Sequence, residues 1–277
     1  MPELPEVEAV RRVLEPVMQG AKFASVVTNR PNLRTPFPAD FAARLEGHTV
    51  RSLDRRGKYL LAALSTNEIL VMHLGMSGSF RIETGTMRDA PGTFYFERDT
   101  SARHDHVVFT MSSGVVIVFN DPRRFGFMDL MPADALPARM GLRALGPEPL
   151  ASTFDPAALA AACRGKKTSL KAALSDQRVV AGLGNIYVCE ALHRARLSPR
   201  RRASTIATPS GAPRDTAVRL VAAIKKVLAL AIAGGADDRF RVYDREGKRC
   251  RTRGCAGVIK RITQSGRSTF YCPVCQK

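Results

Sequence analysis

Two close pairs of cysteines, Cys250-x4-Cys255 and Cys272-x2-Cys275, stand 16 residues apart near the C-terminus. They constrain the fold more than any other feature, because each pair can form a knuckle that gives two thiolates to one tetrahedral Zn2+. The surrounding segment, residues 239–277, is too small for a core of its own, and metal binding supplies folding free energy that burial cannot. Disulfides or free thiols are the alternatives, and a reducing compartment disfavours the former. Four thiolates leave a metal no open position, so one structural zinc is expected and a zinc hydrolase is excluded. The hairpin that this metal would hold, residues 258–271, displays Lys260, Arg261 and Arg267, which makes it a candidate DNA-contacting finger. Cys163 and Cys189 lie in helical patterns and read as core residues rather than ligands.

The same segment carries 11 Lys and Arg against Asp244 and Glu246, a net +9 that is half of the chain's +18. Such charge is the footprint of a protein that neutralises phosphates, although a ribosomal or merely basic soluble protein carries it too. It names a class of partner and no chemistry. The start, MPELPEVEAV, has neither a basic n-region nor an apolar h-region, so no secretory signal is expected. The longest apolar helix candidate, residues 216–233, carries Arg219, Lys225 and Lys226 and is not read as a membrane span. A soluble cytoplasmic protein is expected.

A chain of 277 residues, 45% of them hydrophobic, can bury two cores. From Leu4 the apolar residues Val7, Val10, Leu14, Val17 and Met18 repeat at helical spacing, and Pro5 is tolerated in a first turn. Strands are then predicted at 59–64, 69–74, 79–82, 93–97, 107–111, 115–120 and 127–131, closely spaced and without helices between them. That pattern predicts an antiparallel β-sandwich. Pro132, Pro137, Pro147 and Pro149 mark a connection, and Ala- and Leu-rich helical patterns follow from 155 to about 233. The class is therefore α+β. An N-terminal sandwich domain over 1–135, a linker over 136–149, a helical domain over 150–238 and a zinc ribbon over 239–277 are expected.

The amino terminus carries a candidate chemistry. Loss of Met1 beside the small Pro2 would leave a secondary amine, which attacks an aldehyde or aminal carbon to give an iminium directly, nucleophile and electron sink in one group. An α-amino group also keeps a sizeable neutral fraction near physiological pH. Glu3 and Glu6 beside it suit proton shuttling. Acids also favour a helix N-terminus through the macrodipole, and spacing alone leaves both readings open.

PELPEVE at 2–8, GKYLL at 57–61, HLGMSG at 73–78, HDHV at 104–107, DPRRFG at 121–126, LGPEPL at 145–150, GLGNIY at 182–187 and the terminal four-cysteine ribbon occur in this order. Together, over nearly the whole chain, they resemble the formamidopyrimidine-DNA glycosylases, bacterial enzymes that repair oxidised purines. The sister family, endonuclease VIII, shares the N-terminal Pro-Glu and the ribbon, but HLGMSG and DPRRFG are similar to the formamidopyrimidine branch. The resemblance implies a helix-two-turn-helix element in the helical domain and a bifunctional glycosylase and abasic-site lyase. It implies that Pro2 is the Schiff-base nucleophile, Glu3 the acid that helps open the deoxyribose, and Glu6 their support. Lys58 would serve β-elimination and Arg267 δ-elimination. Extruding a base costs a few kcal/mol of unstacking, and the vacated space needs filling. The resemblance gives that task to Met76, Arg123 and Phe125, with the two apolar side chains as wedges and the guanidinium as a donor to the orphaned base. Backbone grip would fall to His104, Lys167, Lys171 and Asn185, the last in a turn that Gly182 and Gly184 allow to be tight. The implied partner is double-stranded DNA with oxidised purines or abasic sites, bound by a monomer in the bacterial cytoplasm, at the nucleoid.

Two features depart from the family's pattern. The family's lesion-capping loop after the Gly-Gly that ends the long helix is largely absent here, because Gly234-Gly235 runs through Ala236-Asp237-Asp238 into Arg239-Phe240. Altered base selectivity with retained abasic-site cleavage is therefore expected. The stretch 83–103 is longer than the family's and reads as an extended hairpin without assigned function. The competing class is a non-catalytic zinc-ribbon DNA-binding protein in which Pro2 and its acids merely start a helix.

Overall fold

The computed structural model describes residues 2–85, 87–89, 101–139, 141–234 and 240–277, with backbone alone for 87–89. The expected strand at 93–97, the centre of the stretch expected as an extended hairpin over 83–103, and residues 235–239, where a shortened loop is expected, lie outside the described residues. The chain divides into two compact units, Met1–Arg143 and Ala144–Lys277.

The first unit opens with α1 (Leu4–Met18), followed by β1 (Phe23–Thr28), the single-turn α2 (Phe41–Leu45), β2 (Val50–Arg56), β3 (Tyr59–Leu64) and β4 (Glu68–His73). β5 (Ser79–Thr84), β6 (Met87–Asp89), β7 (Asp105–Met111), β8 (Val116–Asn120) and β9 (Phe127–Pro132) complete it. The strands form two antiparallel sheets, five-stranded in the order β1-β7-β8-β5-β6 and four-stranded in the order β2-β3-β4-β9. One apolar core joins their inner faces, with Phe23, Phe80, Phe109 and Phe119 from one sheet and Leu53, Leu60 and Leu70 from the other. Val7, Val10, Leu14 and Met18 of α1 enter the same core at three- and four-residue spacing. The expected sandwich and opening helix are present. The short helix α2 and the strands β1, β2 and β6 add to the expected elements.

The second unit holds α3 (Pro156–Cys163), α4 (Leu170–Ser175), α5 (Asn185–Arg194), α6 (Asp215–Ile232) and a terminal hairpin of β10 (Lys260–Gln264) and β11 (Arg267–Tyr271). Asp155 caps α3 by accepting from the Ala158 N–H at 2.7 Å, and Ser169 caps α4. The four helices share one core, and a smaller cluster of Cys189, Val242, Ile259 and Phe270 lies under the ribbon. Cys163 and Cys189 are buried core residues. No helix of the described residues is long and apolar enough to cross a membrane.

Candidate active site and metal centre

Glu3 is the N-cap of α1 and Glu6 its third helical residue, and the two form a reciprocal capping box in which Glu6 Oε2 accepts from the Glu3 N–H at 2.8 Å. Pro2, Glu3 and Glu6 are all buried. Glu6 therefore caps the helix and holds the Glu3 backbone in one fixed orientation.

Lys58 belongs to the two-residue turn that joins β2 to β3, where Arg56 faces Tyr59 across the hairpin. Gly57 enters that turn at φ +58°, in the left-handed region that favours glycine at the first central position of a tight hairpin. Lys58 itself is 8% exposed. Two contacts tie α1 to this hairpin: Arg11 Nη1 donates to the Leu53 carbonyl at 3.2 Å, and Arg55 Nε donates to Glu8 Oε2 at 3.0 Å. From the first contact to the second, the helix steps toward its start and the strand toward its turn, at about 1.5 and 3.3 Å per residue. Pro2 and Glu3 thus lie at the same end of α1 as Lys58. Burial works against the charge of Glu8, but the guanidinium groups of Arg11 and Arg55 outweigh it and hold the carboxyl below the usual carboxylate range.

The positive charge of Lys58 is also felt at His73. Burial first, then Lys58, Arg34 and Arg139, push that imidazole down to about 4, so it is neutral at physiological pH. Its Nδ1 accepts from the Gly75 N–H at 2.9 Å, and its ring stacks on Phe127 at 5.4 Å.

His73 introduces the loop that carries Met76, which passes from the four-stranded sheet to the five-stranded one. The loop carrying Arg123 and Phe125 makes the return crossing from β8 to β9. The two lie back to back: a Cβ on Gly75, whose φ is +63°, would stand 2.3 Å from the Phe125 carbonyl carbon. Asp121, fully buried, is their common anchor. Its carboxylate accepts from the Ser77 hydroxyl and from the Gly126 N–H, the latter at 2.7 Å. The Asp121 N–H donates to the His104 carbonyl at 3.0 Å, and its own carbonyl lies 2.9 Å from His106 Nε2. HLGMSG, HDHV and DPRRFG therefore meet at Asp121, the first through its carboxylate and the second through its backbone. Above it Met76 and Phe125 remain 38% and 43% exposed, with the Arg123 guanidinium 4.6 Å over the Phe125 ring. Large apolar side chains left in solvent on rigid loops suit insertion into a base stack. Sequence reasoning passed over Asp121, whose position in DPRRFG was its only signal.

In the second unit, Asn185 opens α5 and its Nδ2 donates to the Ser268 carbonyl at 2.8 Å, while its Oδ1 is buried without a partner among the described residues. The side chain thus engages the finger hairpin beside Arg267. Gln177, another residue that sequence reasoning missed, braces the tight turn before α5 by accepting from the Gly182 N–H at 2.8 Å and donating to the Leu183 carbonyl at 2.6 Å. Arg267 is exposed and follows the hairpin turn at Ser265-Gly266. Lys167 is exposed, whereas Lys171 is 1% exposed, so of the two Lys167 presents its charge to solvent.

Cys250, Cys255, Cys272 and Cys275 bring four sulfurs within 4.8 Å of one another, with Cys250–Cys275 at 3.8 Å and Cys255–Cys272 at 3.6 Å. A tetrahedron of zinc–thiolate bonds about 2.3 Å long has edges of about 3.8 Å, so the donor set fits a zinc-sized ion. The Thr252 and Gly257 N–H groups point at Cys250 and Cys255 Sγ at 3.4 Å each, the donors that thiolate sulfur requires. The cluster is that of a structural metal.

Residues 1–128 match the formamidopyrimidine-DNA glycosylase N-terminal domain, 145–241 the H2TH domain of the same enzymes, and 247–277 a zinc finger found in these glycosylases and in IleRS. Formamidopyrimidine-DNA glycosylases of Bradyrhizobium sp. strain BTAi1 and Nitrobacter winogradskyi are 59% and 58% identical, over the whole of this chain and of theirs. The fold matches that of a Lactococcus lactis formamidopyrimidine-DNA glycosylase bound to DNA containing an abasic site, at 31% identity, a TM-score of 0.83 and 99% coverage of both chains. A second Lactococcus lactis structure, with DNA containing an oxidised pyrimidine, matches at a TM-score of 0.84, 31% identity and full coverage of both chains. The chain therefore belongs to the formamidopyrimidine-DNA glycosylase family of DNA repair enzymes.

Proposed function

We propose that this glycosylase excises oxidised purines, 8-oxoguanine and formamidopyrimidines, from double-stranded DNA and nicks the strand, acting as a monomer in the bacterial cytoplasm. The Pro2 amine attacks C1′ of the damaged nucleotide, the base leaves, and the resulting iminium makes the 2′ proton acidic enough for elimination. Glu3 supplies the proton that opens the sugar, Glu6 holds Glu3 in place, Lys58 assists β-elimination and Arg267 δ-elimination. Met76, Arg123 and Phe125 fill the vacated stack. His104, Lys167 and Asn185 grip the backbone, Asn185 through its turn, since its side chain is engaged by Ser268, whereas Lys171, expected among them, is buried and offers no charge to solvent. The four cysteines hold one structural Zn2+, which steadies the finger and takes no part in the chemistry.

The observation that carries this reading is the register of α1 on β2, which brings Pro2, Glu3 and Lys58 to one end from sequence positions far apart. Borohydride should trap the chain on abasic DNA with the link at Pro2, and Pro2→Gly should abolish trapping. Trapping that survives Pro2→Gly would discard the nucleophile, and no trapping at all would favour a DNA-binding protein without catalysis.

The shortened loop bears on selectivity. Alignment with the Bradyrhizobium enzyme runs over 293 positions against 277 residues here, so at least 16 positions of that alignment are empty in this chain. A smaller lid removes backbone donors from the lesion pocket and leaves Pro2, Glu3 and Lys58 in place. Excision of 8-oxoguanine should therefore be less selective than in full-length relatives, with incision of preformed abasic sites retained. Equal selectivity in a side-by-side assay would refute this.

A further inference from the structure

α5 is the support on which the ribbon is built. Asn185 at its start bonds to β11, and Glu190 in its middle accepts three successive N–H groups, from Arg241, Val242 and Tyr243, each at 2.9 Å. Near its end stands His193, 2% exposed, with Nε2 at 3.3 Å from Cys250 Sγ and 3.2 Å from Thr252 Oγ1. Nothing in the proposed chemistry uses this histidine.

We infer that His193 is an outer-sphere hydrogen-bond donor to the metal-bound sulfur of Cys250, and that it fastens the metal centre to α5. The inference rests on the tetrathiolate metal reading. Four thiolates around a divalent ion leave an excess of two negative charges, which N–H and O–H donors to sulfur must offset. The Thr252 and Gly257 N–H groups come from within the ribbon. Among the described residues, the side-chain donor from outside it is His193. Its Nδ1 is buried without a partner among the described residues, so the ring's hydrogen bonding there is concentrated on Nε2. With the proton on Nε2, the donors run in one direction: Nε2–H is shared between Cys250 Sγ and Thr252 Oγ1, and the threonine hydroxyl, 3.8 Å from Cys275 Sγ, donates onward to a second sulfur. One imidazole thereby tempers two of the four thiolates. Without it the excess negative charge on those sulfurs is less well offset, and the ion escapes sooner.

The test follows metal loss and the spectrum of the metal centre, neither of which requires glycosylase activity. His193→Phe keeps the ring volume and removes the donor, whereas His193→Gln returns an N–H near the position of Nε2. Zinc transfer from the full-length protein to a chromogenic chelator should be at least tenfold faster in His193→Phe and close to the parent rate in His193→Gln. In the cobalt-substituted proteins, the sulfur-to-cobalt charge-transfer band should move to lower energy in His193→Phe and stay in place in His193→Gln. If Phe does not fold, His193→Asn, whose shorter amide falls short of the sulfur, replaces it with the same expectation. Equal release rates and superimposable spectra in the donor-free variant and the parent would overturn the inference. A parent that binds no stoichiometric metal would instead overturn the metal reading beneath it.

Discussion

Arg55 reaches in two directions at once: its Nε donates to Glu8 Oε2 at 3.0 Å and its Nη1 to the Gly57 carbonyl at 2.9 Å. One guanidinium thus joins α1, which starts just after Pro2 and Glu3, to the turn that presents Lys58. Arg55→Met leaves Glu8 paired with Arg11 and Arg12 but removes the tie between helix and hairpin, and stability should fall by about 2 kcal/mol in urea unfolding. Elimination should slow more than covalent attachment, so borohydride-trapped complex should accumulate relative to nicked product. A uniform loss of both steps would show that the guanidinium contributes to the fold alone.

His73 sets a pH dependence. Its folded-state value near 4 lies below the ordinary 6.5, so the unfolded chain takes up a proton first as pH falls. Stability from this group is complete above about pH 6.5 and is lost between there and pH 4, by about 3 kcal/mol in all. In His73→Asn, which keeps an acceptor for the Gly75 N–H but does not titrate, that part of the slope should vanish. Unfolding free energies of both proteins across this window check it.

Gly75→Ala tests the contact between the two crossing loops. The new Cβ would meet the backbone of Phe125 and Gly126 at 2.3 and 2.4 Å, on a residue already at positive φ. A loss of about 2 to 3 kcal/mol is expected, together with weaker binding to DNA carrying an uncleavable abasic analogue. Met76→Ala and Phe125→Ala should weaken binding while leaving the melting temperature nearly unchanged, since both side chains stand in solvent.

Removal of the metal should act locally. The core beneath the ribbon is small, so chelation should abolish amide-exchange protection over 247–277 and leave the sandwich protected. Protection that persists in the ribbon would show that the four thiolates do not depend on an ion.

Sequence periodicity found the strands with alternating or continuous apolar runs, such as β3 and β8, and missed β1 and β2, whose buried residues follow neither pattern. β1 buries Phe23 and Val26, and β2 buries Val50 and Leu53, three residues apart in each case. The register shifts between Phe23 and Ser25 and between Val50 and Ser52 explain that spacing. Such a pattern reads as neither strand nor helix. α2 is a single turn with too few residues for a period. The four cysteines and the start of α1 were legible because their chemistry is local. Asp121 and Gln177 were not, because an aspartate that gathers three segments through its carboxylate and its backbone, or an amide that braces a turn, is defined by neighbours that only folding supplies.

The three attachments along α5 have a consequence for how this protein can be taken apart. The zinc-finger match begins at residue 247, yet Asn185, Glu190 and His193 lie on a helix that belongs to the preceding domain match. A transplant of 247–277 alone would carry the knuckles without their foundation. The smallest portable module is therefore α5 together with the ribbon that it anchors.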